Sequence, residues 1–249
     1  MTTDAKGKVV VITGASRGIG KGMAERMAEL GVRLGLCARS SLPLDEGPDV
    51  VARQVDVTDE DAVLRFAEAV GERLGAIDLW INNAGVLDPV AFVRDLDSAA
   101  LSRHLDVNLR GVLHGTKAYL RHLDDRDVAG VLVNISSGAA LKGYAGWGAY
   151  CAGKAAVDRL TECVQLEEAH RGSGLRAYAV APGVVDTDMQ ATIRGKSEDE
   201  FPMVDKFLQL KKDEAFNSPA YVADRLLDIA LSASARPAGV VVRLPPEPS

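Results

Sequence analysis

Short apolar runs alternate with longer amphipathic segments along the 249 residues, and this alternation constrains the fold more than any other feature. A short, continuous apolar run suits a strand buried on both faces, and apolar residues spaced three and four apart suit a helix. The short runs fall at residues 8–13, 32–38, 51–55, 77–81, 130–135, 175–179 and 240–244. Helical patterns cover 18–30, 59–74 (capped near Thr58), 98–123 and 146–170, the last ended by Gly172 and Gly174.

Strands that alternate with helices build βαβ units and a parallel sheet. The expected fold is α/β: one Rossmann-type domain over residues 1–249, a doubly wound parallel sheet of about seven strands with helices on both faces. A chain of this length hides roughly 70–75% of its unfolded surface, enough for one core. The connection from Arg39 to Val50 holds two prolines and a glycine, so an irregular crossover is expected where a helix is usual. The tail Pro245-Pro246-Glu247-Pro248-Ser249 cannot extend the sheet, because proline donates no ladder hydrogen bond.

Charge and composition exclude several classes. The net charge is −6 with no basic stripe, which argues against a nucleic-acid partner. No apolar run nears the roughly 18 residues of a membrane span. Cys37, Cys151 and Cys163 form no disulfide framework, which fits a reducing, cytoplasmic setting. His104, His114, His122 and His170 show no ligand spacing, so no metal site is expected.

Thr13-Gly14-Ala15-Ser16-Arg17-Gly18-Ile19-Gly20 joins the first strand to the first helix. Glycines let a backbone turn sharply and let a phosphate approach; the helix start offers free N–H groups to it. The spacing G-x-x-x-G-x-G differs from the commoner dinucleotide pattern G-x-G-x-x-G. An NAD enzyme usually places an acid after the second strand to bind the ribose hydroxyl. Here Arg39 stands there, with Arg17 nearby and no acid before Asp45. Two guanidiniums suit a 2′-phosphate, so the expected cofactor is NADP(H).

Tyr150 and Lys154 lie four apart at the start of a helix and so share a face. A free phenol titrates near ~10. A neighbouring ammonium favours the phenolate and eases proton exchange with a substrate oxygen. Ser137 ends the fifth strand, where open α/β sheets form their ligand crevice, and its hydroxyl suits a substrate oxygen. Ser136 is the competing candidate and the more structural of the two.

Taken in order, Thr13–Gly20, Asp56-Val57, Asn82-Asn83-Ala84-Gly85, Asn108, Ser137, Tyr150 with Lys154, and Pro182-Gly183 with Thr187 resemble the short-chain dehydrogenase/reductases over almost the full chain. The resemblance implies that Gly14, Ser16, Arg17, Gly18, Ile19 and Gly20 cradle the pyrophosphate. It implies that Asp56 and Val57 border the adenine and that Asn83, Ala84 and Gly85 line the cofactor. It places Pro182 and Gly183 along the cofactor, Val185 and Thr187 at the carboxamide and Lys154 at the nicotinamide ribose, and gives Asn108 a water-linked proton relay to Lys154. Ser137 and Tyr150 then polarise a ketone while nicotinamide supplies hydride.

The blocks Asn134-Ile135-Ser136-Ser137, Gly146 to Ala156 and Ala181 to Gln190 look like sepiapterin reductases and the related benzil or diketone reductases. The pterin-reducing members carry an acid in the last strand, where this chain has Arg243; a cation cannot accept the N–H donors of a pterin. The expected substrate is therefore a less polar dicarbonyl or α-hydroxyketone, with Trp147 and Met189 as pocket walls. Glu247 replaces the missing acid only if the tail folds back. A ketoacyl-carrier-protein reductase and a non-catalytic NADP(H) sensor remain the alternatives. Residues 190–217 are the expected substrate lid, and the long helices imply a homodimer or homotetramer.

Overall fold

The computed structural model describes residues 5–213 and 216–248; Met1 to Asp4, Glu214, Ala215 and Ser249 lie outside the description. Seven strands form one parallel sheet: β1 (Val9–Thr13), β2 (Arg33–Ala38), β3 (Val50–Gln54), β4 (Leu79–Asn82), β5 (Val131–Ile135), β6 (Arg176–Ala181) and β7 (Val241–Arg243). Their order is β3-β2-β1-β4-β5-β6-β7. Every pairing between these strands is parallel.

Alternation along each strand feeds two cores. Val10, Ile12, Leu34, Leu36, Leu79 and Ile81 face one side, packed by α1 (Gly18–Glu29) and α8 (Pro219–Leu231). Val9, Val11, Cys37, Trp80 and Leu132 face the other, packed by α2 (Glu60–Leu74), α4 (Gly111–Asp124) and α5 (Gly148–Arg171). Both faces are dry, which is why the strands read as continuous apolar runs. The direction of strand addition reverses between β1 and β4, and ligands of such sheets bind at the carboxyl ends beside that reversal.

Two expectations change. The pattern over 98–123 is two helices, α3 (Ser98–Leu105) and α4, joined by a π-helical turn at Asp106–Arg110. Asp59 and not Thr58 caps α2, its carboxylate accepting from Ala62 N–H at 2.9 Å. The Pro-rich tail, which was not expected to extend the sheet, adds no strand and folds back: Glu247 N–H donates to Asn217 Oδ1 at 2.7 Å. The 39–50 crossover is irregular, as its prolines require. No helix among the described residues is long and apolar enough to cross a membrane.

The Gly-rich turn is locked against the β4 end. Asn83 Nδ2 donates to the carbonyls of Thr13 and Gly14 at 3.0 and 3.1 Å. A Cβ on Gly20 would lie 2.4 Å from Gly14 O and 2.5 Å from Asn83 Nδ2. Gly20→Ala should therefore lower unfolding stability by about 1–3 kcal/mol despite its better helix propensity. Urea unfolding measures this; an unchanged midpoint would contradict the packing described.

Candidate active site

The carboxyl ends of the strands open into one cavity of about 1440 Å³. At one end lie Gly14, Ser16, Arg17, Gly18, Ile19, Arg39, Asp56 and Val57; along the middle lie Asn83, Ala84, Gly85, Pro182, Gly183, Val185 and Thr187. At the other end lie Asn108, Ser137, Trp147, Tyr150, Lys154 and Met189. Of the residues that the sequence assigns to the site, Gly20 alone does not line it, being buried behind the turn.

The turn suits a dinucleotide phosphate. Gly14 has φ +67°, and a Cβ there would lie 2.6 Å from Ala84 Cα, so only glycine brings the two segments together. Asn83 also meets the cavity, but its amide serves to brace the turn. Asp56 Oδ1 accepts from Thr58 N–H and Oγ1–H at 3.0 and 2.9 Å, fixing the turn beside Val57.

Beyond β2, neither guanidinium of Arg17 and Arg39 has a hydrogen bond or ion pair among the described residues. Glu46, an acid of the crossover that follows, is taken up by Arg53 and Arg73. Two solvent-facing cations thus stand at the cavity end, with no carboxylate paired to them among the described residues.

Helix α5 sets the reactive groups. Lys154 is buried and its Nζ donates to Ile135 O at 2.7 Å, which ties the helix to the end of β5. Tyr150, one turn earlier, is 8% exposed. Burial raises its phenol above the ordinary value, and a hydrogen bond with Ser137 pulls the other way. Lys154 Nζ lies 5.8 Å from the ring centroid, and desolvation is the larger influence, so the phenol keeps the proton that a donor needs.

Ser137 sits at the start of a short 3₁₀ turn, Gly138–Ala140, where its Oγ accepts from Ala139 N–H at 3.2 Å. That leaves the hydroxyl proton for an oxygen in front of it. Ser136 is structural, as its sequence context implied: it is buried and donates to Asp158 on α5.

The π-helical turn carries Asn108, fully buried, against Gly85 and Lys154. A Cβ on Gly85 would lie 2.8 Å from Asn108 Oδ1 and 3.8 Å from Lys154 Nζ. Asn108 Oδ1 accepts from Val86 N–H at 3.1 Å, and Nδ2 donates to Val86 O at 2.9 Å. Nδ2 also meets His104 Nε2 at 3.0 Å. His104 Nδ1 lies 2.8 Å from Asp88 O and must donate there, so Nε2 accepts from Asn108. Burial lowers the His104 pKa, which keeps the ring neutral in that tautomer. Its edge packs on Tyr150 with centroids 6.2 Å apart.

The sequence marks His104 only as a non-ligand; its spacing of four from Asn108 was the available signal. Asn217 escaped the sequence reading altogether. It is buried, donates to Pro182 O at 2.8 Å and to Pro245 O at 3.2 Å, and fills the space beside Gly183.

Aromatic rings wall the far end. Trp147 stacks on Phe201 at 4.7 Å and meets Tyr150 edge-on at 5.5 Å. Phe207, on α7 (Val204–Lys212), and Met189, on α6 (Asp188–Arg194), complete that cluster. Trp147 and Met189 therefore both line the cavity and pack with the 190–217 segment. Asp186 pairs with Arg194 and Lys211, joining α6 and α7 to the loop after β6.

Comparison with known proteins agrees with this geometry. Residues 8–198 match the family model described as short chain dehydrogenase. A benzil reductase ((S)-benzoin forming) of Bacillus cereus is 32% identical over 248 residues, covering 95% of this chain and 99% of that one. A benzil reductase ((S)-benzoin forming) of Saccharomyces cerevisiae is 33% identical over 240 residues, 90% of each chain. The crystal structure of a short chain dehydrogenase/reductase from Saccharomyces cerevisiae superposes with a TM-score of 0.82 at 30% identity, covering 95% of both chains.

Burial holds the Lys154 ammonium at about 8 against an ordinary 10.5. Between those values the unfolded chain binds more protons than the folded one, so stability rises with pH there. From pH 8 to pH 10 the wild type should gain unfolding free energy relative to Lys154→Met. Parallel pH profiles in denaturant titrations would contradict the burial of a charged amine.

Proposed function

The chain belongs to the short chain dehydrogenase family, and from that premise we propose that it is an NADPH-dependent carbonyl reductase acting on 1,2-dicarbonyls or α-hydroxyketones. The observation that carries the reading is that Ser137, Tyr150 and Lys154 line the same cavity wall, with Lys154 one helical turn from Tyr150 and anchored to the end of β5.

A ketone oxygen placed between those hydroxyls accepts two hydrogen bonds, which polarise the carbonyl and favour the charge that develops on it. Tyr150 holds a proton at its phenol oxygen and releases it to that oxygen as the alcohol forms. Bound NADPH supplies the hydride. Lys154 keeps a positive charge behind the phenol and eases loss of that proton. Ser137 keeps the oxygen in line. The aromatic wall excludes water, which strengthens each of these interactions.

The cofactor reading rests on Arg17 and Arg39, whose guanidiniums match a 2′-phosphate, and on Glu46 being turned away to Arg53 and Arg73. The substrate reading rests on the aromatic lining and on relatives named for benzil reduction.

Reduction of benzil, followed as NADPH oxidation, tests both parts. The wild type should oxidise NADPH far faster than NADH. Arg39→Ala should cut the NADPH:NADH ratio of kcat/KM by about 10- to 100-fold, as expected for a charge-assisted phosphate contact. A wild type that prefers NADH would overturn the cofactor assignment, and no turnover with any diketone would overturn the substrate class.

A further inference from the structure

The substrate end of the cavity holds a cation that nothing described in the fold uses. Arg243 closes β7, is exposed to the cavity, and has no hydrogen bond or ion pair among the described residues. Its guanidinium reaches the residue next to the reactive serine: a Cβ on Gly138 would lie 3.7 Å from Arg243 Nη2. Gly138 has no side chain to cover it.

The one acid of the tail, Glu247, lines the same cavity and is engaged elsewhere. The tail folds back, as a substitute acid would require, but Glu247 caps α8. Its oxygens accept from Ser218 N–H and from Ser218 Oγ–H, the latter at 3.0 Å. Asp88 and Asp188 also line the cavity, and neither pairs with Arg243. Lys142 and Lys206 reinforce the positive charge at the same rim. Each ammonium lies over the Tyr144 ring, 5.3 and 5.4 Å from its centroid, and neither is paired with an acid among the described residues.

An aromatic pocket with an unpaired, bidentate donor beside its reactive hydroxyl has a matching ligand chemistry. We propose that the substrate is an aryl ketone bearing a carboxylate next to the carbonyl, an aromatic 2-oxo acid, with the carboxylate held by Arg243. The aryl ring lies against Trp147 and Phe207, and the ketone oxygen rests on Ser137 and Tyr150. This inference rests on the reductase reading above and names the second oxygen function of its substrate. The chemistry balances as before: NADPH delivers hydride to the ketone carbon, Tyr150 delivers the proton, and the carboxylate is unchanged in the 2-hydroxy acid.

Phenylglyoxylate and its methyl ester differ by one charge and serve as probes, with benzil as a neutral control. The wild type should favour the acid over the ester in kcat/KM. Arg243→Gln should lower that acid:ester ratio by about 30-fold, the size expected for one charge-assisted hydrogen-bonded pair at a partly exposed site. Arg243→Lys, which keeps the charge but not the fork, should fall between the two. A ratio unchanged in Arg243→Gln would overturn the proposal, while benzil turnover in the wild type would leave the reductase reading standing. Failure of the wild type to reduce all three compounds would overturn both.

Discussion

The buried amine of Lys154 and the carbonyl of Ile135 hold the active site in register. An ammonium taken out of water is costly unless it is hydrogen-bonded, and the β5 end supplies that acceptor at 2.7 Å. The bond fixes the height of α5 over the sheet. Tyr150 then falls one turn earlier on the helix and lines the same cavity as Ser137. The depressed lysine pKa, about 8, reflects the cost of this burial, and the neighbouring phenol is pushed the opposite way by the same lack of water.

Behind these groups a buried polar network sets where α4 and α5 sit. Trp80 Nε1 donates to Asn82 Oδ1 at 2.8 Å, Asn82 Nδ2 to Asn134 Oδ1 at 2.9 Å, and Asn134 Nδ2 to Thr161 Oγ1 at 2.9 Å. Each of these side chains has its partner, so the network specifies one arrangement of strand and helix in place of a sliding apolar contact. The π-helical turn acts similarly from the other side. It inserts an extra residue into the helix, aims Asn108 at Val86, and brings His104 against Tyr150.

Much of this was legible in the residues because it is local or periodic. Seven buried strands announce themselves as apolar runs, and Gly14, Tyr150 and Lys154 announce themselves by spacing along one turn or one helix. The π-helical turn was not legible: an extra residue in one turn leaves the apolar pattern over 98–123 almost intact. The brace roles of Asn83 and Gly20 depend on contacts between segments some 70 residues apart in sequence. The clasp of Asn217 and Glu247 likewise spans a separation of 30 residues, and no local pattern records such pairs. The burial of the Tyr150–Lys154 pair was not legible for a related reason: spacing shows that a lysine is near but says nothing of how completely the pair is dried.

The central claim is that Tyr150 is the proton donor and not merely a part of the cofactor's cradle. Tyr150→Phe removes one oxygen from a packed ring and tests it directly. The variant should bind NADPH, followed by the quenching of tryptophan fluorescence, with an affinity close to wild type, and should reduce benzil at least ~100-fold more slowly. Turnover near the wild-type rate, with the cofactor bound, would contradict the account.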